Sequence, residues 1–365
     1  MVTELTKKVV QKIFPAGSEI TKNPLEVPPE DRFWLIPGRK GPRWLIPQDK
    51  KYGISVFQQW RPCNFASRIK WRILYVAYCT GWLSLIPEIK SIGIDRDSKN
   101  VWNHFDWDRE SLPIPIIYFG TPCSTQKAVA ILVDSIKIQP CIIGKVPLSD
   151  LAAESIRREY SILCYLKQNN PGVAPTPFFF DNESGIAAQE AIIGSPVSRT
   201  FSSQHWNFLE KLAFSNNTTS VMEQSQRLLN LMSETNELKS KTKILLELIL
   251  KDCRDSTSLP QIFVHGDFTP WNIKKLENGS LMALDWEMGD TNGLPTYDFF
   301  YFSLIQSYLF NDKFSVNRIF KLLPIFKIKY PLMQILKFTA ASIGFRLAKE
   351  ETNTEYLENF LRRIK

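Results

Sequence analysis

Between His265 and Glu287 the chain reads HGDFTPWNIKKLENGSLMALDWE. His265, Asp267 and Asn272 stand at one end of this stretch, Asp285 and Glu287 at the other. The residues between them are patterned as a β-hairpin about Asn278-Gly279, a pair suited to the φ > 0 positions of a type I′ turn. Read as a two-residue loop, the turn sets Leu276 against Leu281 and Ile273 against Leu284, and so predicts Asn272 opposite Asp285. Directly opposed residues hold their Cβ atoms about 4.5–5.5 Å apart, near enough for both side chains to share one cation. An amide and a carboxylate oxygen suit a hard ion such as Mg²⁺, whose other ligands are commonly waters and phosphates. Asp267, five residues before Asn272, is then placed to accept a proton. Asp and Asn beside a hairpin also serve as plain turn formers. The joint order and spacing point instead to two metal ligands beside a base, a constellation suited to phosphoryl transfer.

The elements that must position these residues change character along the chain. From Pro113, IPIIYFG, KAVAILVD and PCIIGKV are three short runs rich in Ile, Val and aromatics, separated by turn formers, and predict an antiparallel three-stranded sheet. A helix follows from Ser149 to about Gln168, with Ser149 as its cap and Leu151, Ile156, Tyr160, Leu163 and Leu166 as its apolar stripe. PTPFFF and GIAAQEAI add two strands about the Asp181–Gly185 turn. Two helical stretches are expected within 200–252, the second running from Ser220 to Leu250 with a Ser220/Glu223 capping box. Beyond the hairpin, Thr296–Leu309 and Ile319–Lys365 read as helical, the latter broken at Pro324 and Pro331. Residues 111–192 thus form a small β lobe, 193–365 a larger helical one, and 1–110 an extension of unknown role.

That extension opens with a short helix and a Pro-rich connector. Trp34-Leu35-Ile36-Pro37 then recurs as Trp44-Leu45-Ile46-Pro47, which predicts a pair of short strands. From Arg32 to Arg72 there are ten basic residues and one acid, Asp49, interleaved with Phe33, Trp34, Trp44, Tyr52 and Trp60. Residues 32–72 therefore suit peripheral contact with an anionic membrane or polyanion, or simply a solvated basic face. No recognised nucleic-acid module is present. Ile73 to Pro87, ILYVAYCTGWLSLIP, is too short for a membrane span and is expected as a buried helix in preference to an interfacial one.

The 365 residues carry a net charge of +8 and are 44% hydrophobic, enough for substantial cores. Six cysteines are scattered without a C-x-x-C pair, which disfavours a zinc site or disulfide framework and suits a reducing compartment. The first residues lack the apolar core of a signal peptide, so a cytoplasmic location is expected, with attachment at the membrane periphery as the variant.

His265-Gly266-Asp267 with Asn272, followed by Asp285-Trp286-Glu287, resembles the aminoglycoside phosphotransferase and choline kinase family over about residues 113–365. The resemblance implies an α+β, two-lobed protein-kinase-like fold, with a small antiparallel β lobe bearing one helix and a larger, mainly helical lobe. It implies ATP and Mg²⁺ as cofactors, with Asp267 taking the proton of an acceptor hydroxyl and Asn272 and Asp285 holding the metal. Lys145 would contact the nucleotide phosphates, paired with Glu159, although Glu154 lies on the same helix. The phosphate loop would begin at Gly120, in a GTPCS stretch with one glycine where protein kinases have several. Glu190 and Ala191 would lie at the adenine hinge. Asp298 matches a position that steadies the catalytic loop, and His265 reads as a brace for that loop.

The acceptor is not written in these motifs. Residues 301–365 hold 11 Lys/Arg against 5 Asp/Glu, which favours a neutral or anionic hydroxyl compound, a sugar or glycan, over a cationic aminoglycoside. The alternative is a nucleotide-binding pseudokinase acting as a regulatory or membrane- or partner-recruiting module.

Overall fold

A computed structural model describes residues 4–14, 20–21, 23–38, 41–59, 65–95, 102, 104–105, 112–212, 217–235, 238–310, 319–323, 329–350 and 354–364. The chain divides into two compact units, Met1–Pro196 and Val197–Lys365. Together they are α+β: an antiparallel sheet dominates the first unit and helices the second.

In the first unit, nine strands form one antiparallel sheet among the described residues, in the order β1-β4-β2-β3-β5-β6-β7-β9-β8. They are β1 (Ile20–Thr21), β2 (Arg32–Gly38), β3 (Gly41–Pro47), β4 (Lys90–Ile94), β5 (Ile114–Tyr118), β6 (Lys127–Val133), β7 (Pro140–Pro147), β8 (Pro177–Phe180) and β9 (Ala187–Glu190). Strands β5 to β9 are those expected from residues 113–192. The repeated Trp-Leu-Ile-Pro segments do pair, as β2 and β3, with Leu35 opposite Leu45. The sheet continues from the first 110 residues into the rest through Trp44 opposite Tyr118 and Leu45 opposite Ile117. Helix α1 (Glu4–Ile13) also belongs to this unit, its Lys12 Nζ donating to Pro147 O at 3.1 Å. Trp102 packs over Gly144 of β7. Most of residues 98–112 lies outside the described residues.

The aromatics of the basic stretch turn inward. Phe33, Trp44 and Tyr52 are buried, and Trp60 lies outside the described residues. Arg43 is engaged as well, donating to Gly120 O at 3.0 Å and lying over the Tyr118 ring. The helix expected to be buried is so on one side only. Helix α2 (Lys50–Gln59) and helix α3 (Phe65–Thr80) are followed by one 3₁₀ turn at Trp82–Leu85. The α3 sequence is apolar on two sides, and only one meets the core: Trp71 against Trp44 and Phe57, and Tyr78, whose hydroxyl donates to Pro47 O. Ile69, Ile73 and Val76 remain exposed. Helix α4 (Asp150–Asn169) starts where Ser149 Oγ accepts from Ala152 N, and buries Ile156, Leu163 and Leu166, while Leu151 points to solvent.

The second unit begins with α5 (Ser203–Glu210), α6 (Val221–Ser233) and α7 (Ser240–Lys251). The long helix expected from Ser220 is thus two, although the Ser220/Glu223 capping box forms as read. Two antiparallel pairs follow: β10 (Ile262–Val264) with β13 (Asp290–Gly293), and β11 (Ile273–Lys275) with β12 (Leu281–Ala283). Helix α8 (Tyr297–Phe310) is apolar all round because it is the core, with Tyr297 to Phe302 buried in succession. Helices α9 (Leu332–Glu350) and α10 (Thr354–Arg362) complete the unit. Among the described residues no helix is long and apolar enough to cross a membrane.

Candidate active site

The loop from His265 to Asn272 joins β10 to β11 and is held from within the protein. Asp298, buried on the first turn of α8, accepts from His265 N at 2.7 Å and from Gly266 N at 3.0 Å, one oxygen to each. Two consecutive amides on one carboxylate fix the loop's direction. Gly266 has φ +76°, and a Cβ there would lie 2.3 Å from Met288 O, so the middle residue of His-Gly-Asp must be glycine. His265 is fully buried; its Nε2 bonds Leu284 O at 2.9 Å, and its Nδ1 accepts from Asp267 N at 3.1 Å. A ring nitrogen that accepts from an amide leaves the other as donor, so the tautomer is set and His265 braces the loop.

Asp267 is thereby presented with both carboxylate oxygens engaged. Oδ2 accepts from Asn272 Nδ2 at 2.9 Å; Oδ1 accepts from Tyr301 Oη at 2.6 Å and faces Arg346 Nη2 at 3.4 Å. The Asn272 amino group also donates to Asp267 O at 3.1 Å. Both its partners are acceptor oxygens, so the amide's own oxygen is the atom left for another ligand. Tyr301 and Arg346 were not singled out in the sequence. Tyr301 had a signal, since it lies three residues after Asp298 on one helix and so shares its face. Arg346, which also lies over the Tyr301 ring, comes from α9 and had none beyond the basic character of the region.

The hairpin forms, but in a different register. Leu276 N donates to Ser280 O at 2.9 Å and Gly279 N to Leu276 O at 3.0 Å, closing a three-residue loop with Gly279 at φ +81°. A glycine in the left-handed region is the usual third residue of such loops. Ile273 therefore faces Ala283, not Leu284. Asn272 O accepts from Leu284 N at 2.7 Å, and Asp285 lies one residue past the ladder. The expected cross-strand pairing of Asn272 with Asp285 is overturned. What connects them is Asp267, bonded by Asn272 and close enough to Asp285 and Glu287 to feel both charges. Asp285 has φ +64°, a conformation that a non-glycine residue holds only when its surroundings impose it.

The electrostatics of this loop are unbalanced. Burial pushes the Asp267 carboxyl up to about 7; Arg346 and the Asn272 hydrogen bond oppose that rise, and the Asp285 and Glu287 charges add to it. Burial likewise raises Asp298 to about 7 against its two amide bonds. Among the described residues no three His, Cys, Asp or Glu side chains form a metal cage. The donors present are the Asn272 amide oxygen and the Asp285 and Glu287 carboxylates, an all-oxygen set that fits Mg²⁺ completed by waters and phosphate oxygens.

In the first unit, Lys145 of β7 donates to both oxygens of Glu159 on α4, at 2.6 and 2.5 Å, and both residues are buried. Glu154 is exposed on the same helix, so Glu159 is the partner. Gly120, at φ +69° after β5, turns the chain toward β6. At the end of β9, Glu190 N donates to Thr176 O and Ala191 N to Cys141 O. Both amides are thus bonded within the first unit.

No protein-family model matches the sequence, and no curated protein matches it. Solved structures do. The chain is similar to small-molecule phosphotransferases. Aminoglycoside phosphotransferase APH(2'')-Ib in its ADP-bound form aligns at 15% identity and TM-score 0.45, over 68% of this chain and 91% of its own. A putative fructosamine-3-kinase from Thermobifida fusca aligns at 14% and 0.44, over 67% and 91%. A Plasmodium vivax ethanolamine kinase aligns at 12% and 0.40, over 67% and 78%.

Proposed function

We propose that this protein transfers the γ-phosphoryl group of ATP to a hydroxyl group of a small molecule. The observation that carries this reading is the setting of Asp267, a carboxylate on a loop pinned by Asp298 and His265, with Asn272, Asp285 and Glu287 around it. The acceptor oxygen forms a bond to the γ-phosphorus as the bond to the β,γ-bridging oxygen breaks. The products are ADP and a phosphate monoester, and the hydroxyl proton passes to Asp267. Little covalent chemistry is asked of the protein, so positioning and charge neutralisation supply most of the rate. Bound Mg²⁺ would neutralise phosphate oxygens, held by Asn272 and Asp285 with Glu287 beside them. Lys145, oriented by Glu159, is the cation assigned to the nucleotide phosphates.

In this reading the acceptor is neutral or anionic, of sugar or glycan type. Arg346 supports that, because a guanidinium against the base repels a polycationic substrate and attracts an anionic one. ATP consumption with a panel of neutral sugars, sugar acids and aminoglycosides tests the proposal. Turnover with the first two, abolished in Asp267→Ala and Asp285→Ala, is expected. Unchanged turnover in both variants overturns the mechanism, and preferential turnover of aminoglycosides overturns the acceptor class.

A further inference from the structure

The face of α3 that meets no core is patterned. Ile69, Ile73 and Val76 follow one another at helical spacings of four and three, and are 44%, 62% and 52% exposed. Past the end of the helix, Trp82 and Leu85 are exposed as well, at 61% and 74%. Arg68, Lys70 and Arg72 are exposed within the same two turns. No Asp or Glu occurs between Asp49 and Glu88. Solvent-facing apolar side chains at this density need an explanation that the sheet does not supply, since Trp71 and Tyr78 already fill the inward face.

We infer that this face docks on an anionic lipid bilayer, with α3 lying in the plane of the interface. A bilayer offers apolar depth for Ile69, Ile73, Val76 and Leu85, and anionic headgroups for the arginines and lysine flanking them. Trp82 and the partly exposed Tyr75 suit the headgroup level, where an apolar ring with one polar atom is best solvated. Arg and Lys can lay their stems along the apolar surface and keep their charges outward. The helix does not span, because its apolar stripe runs along one side only. A second copy of the chain is a poorer occupant. Pairing two such faces sets Arg68, Lys70 and Arg72 against their equivalents, with no acid in the whole stretch to offset them. The surface keeps Arg68, Lys70 and Arg72 of the basic stretch but not its aromatics, since Phe33, Trp44 and Tyr52 are buried.

Flotation of the full chain with phosphatidylcholine vesicles, with and without phosphatidylglycerol at about one lipid in three, tests this inference. The expected result is flotation with the anionic vesicles only, lost at least tenfold in Ile73→Asp/Val76→Asp and in Arg68→Gln/Lys70→Gln/Arg72→Gln. The second variant removes no apolar contact, so it carries the test if the first fails to fold. Absence of flotation with anionic vesicles overturns the inference, as does equal flotation of the charge variant. A dimer in sedimentation that Ile73→Asp/Val76→Asp dissociates, without vesicle binding by the wild type, assigns the face to a second copy instead.

Discussion

Lys145 with Glu159 in the first unit, and Asp267 with Asp285 and Glu287 in the second, are two contrasting ways of holding charge away from water in one chain. The first pair is closed. One cation meets both oxygens of one carboxylate, and neither side chain has more than a tenth of its surface exposed. The second group is open: the Asp267 side chain keeps 24% of its surface exposed, and the Asp285 and Glu287 charges act on it against Arg346. Like charges so placed are costly unless a cation joins them. The closed pair therefore sustains structure and keeps one ammonium in a fixed direction, whereas a metal ion beside the open group would offset the like charges that act on Asp267.

Substitutions should separate the two. Asp267→Asn is expected to lower turnover by about 10²–10⁴-fold, the range for removal of a general base, while leaving the melting temperature unchanged or raised. Loss of stability without loss of turnover would erase the contrast. Glu159→Leu should lower turnover and also cost roughly 3–5 kcal/mol in urea unfolding, because it removes one partner of a buried ion pair. Lys145→Met/Glu159→Leu, which removes both charges, should recover most of that stability without recovering turnover. Asp285→Asn comes next in size. The half-saturating Mg²⁺ concentration should rise at least tenfold, or ~1.4 kcal/mol, and an unchanged Mg²⁺ dependence would remove Asp285 from the metal set.

How far these sites could be read in advance depended on the range of the interactions. Ser149 as a helix cap, the Trp-Leu-Ile-Pro strand pair and the β5–β9 strands rest on local pattern, and local pattern was sufficient. Asp298 was legible through a resemblance, and its role is now visible as two hydrogen bonds. The Asn272–Asp285 register failed over one residue, because Asn-Gly also fits a three-residue loop whose last position is left-handed. Lys274 and Lys275 would face apolar residues in either register, so side-chain pairing did not distinguish the two closures. Arg346 was illegible because α9 reaches Asp267 across 79 residues of sequence. The exposure of Ile73 and Val76 was also hidden, since an apolar helix reads alike whether one side or both are covered.

The smallest effect concerns the support behind the open group. His205 is buried on α5, its ring edge-on to Phe268 of the His265–Asn272 loop, with Nδ1 accepting from Ser202 N at 3.1 Å. Burial lowers its pKa to about 4 from the ordinary 6.5, so the folded ring is neutral where an unfolded one would be protonated. The unfolded chain thus binds the extra proton between those values, and stability falls as pH drops from 6.5 toward 4. From pH 7.5 to 5.5 the loss from this group should be roughly 1 kcal/mol. His205→Gln keeps a side chain able to complete the capping box at that position and removes the titration. The variant should therefore show a smaller drop in melting temperature than the wild type over that interval. Equal drops would mean that His205 is not the group that couples this unit to acid.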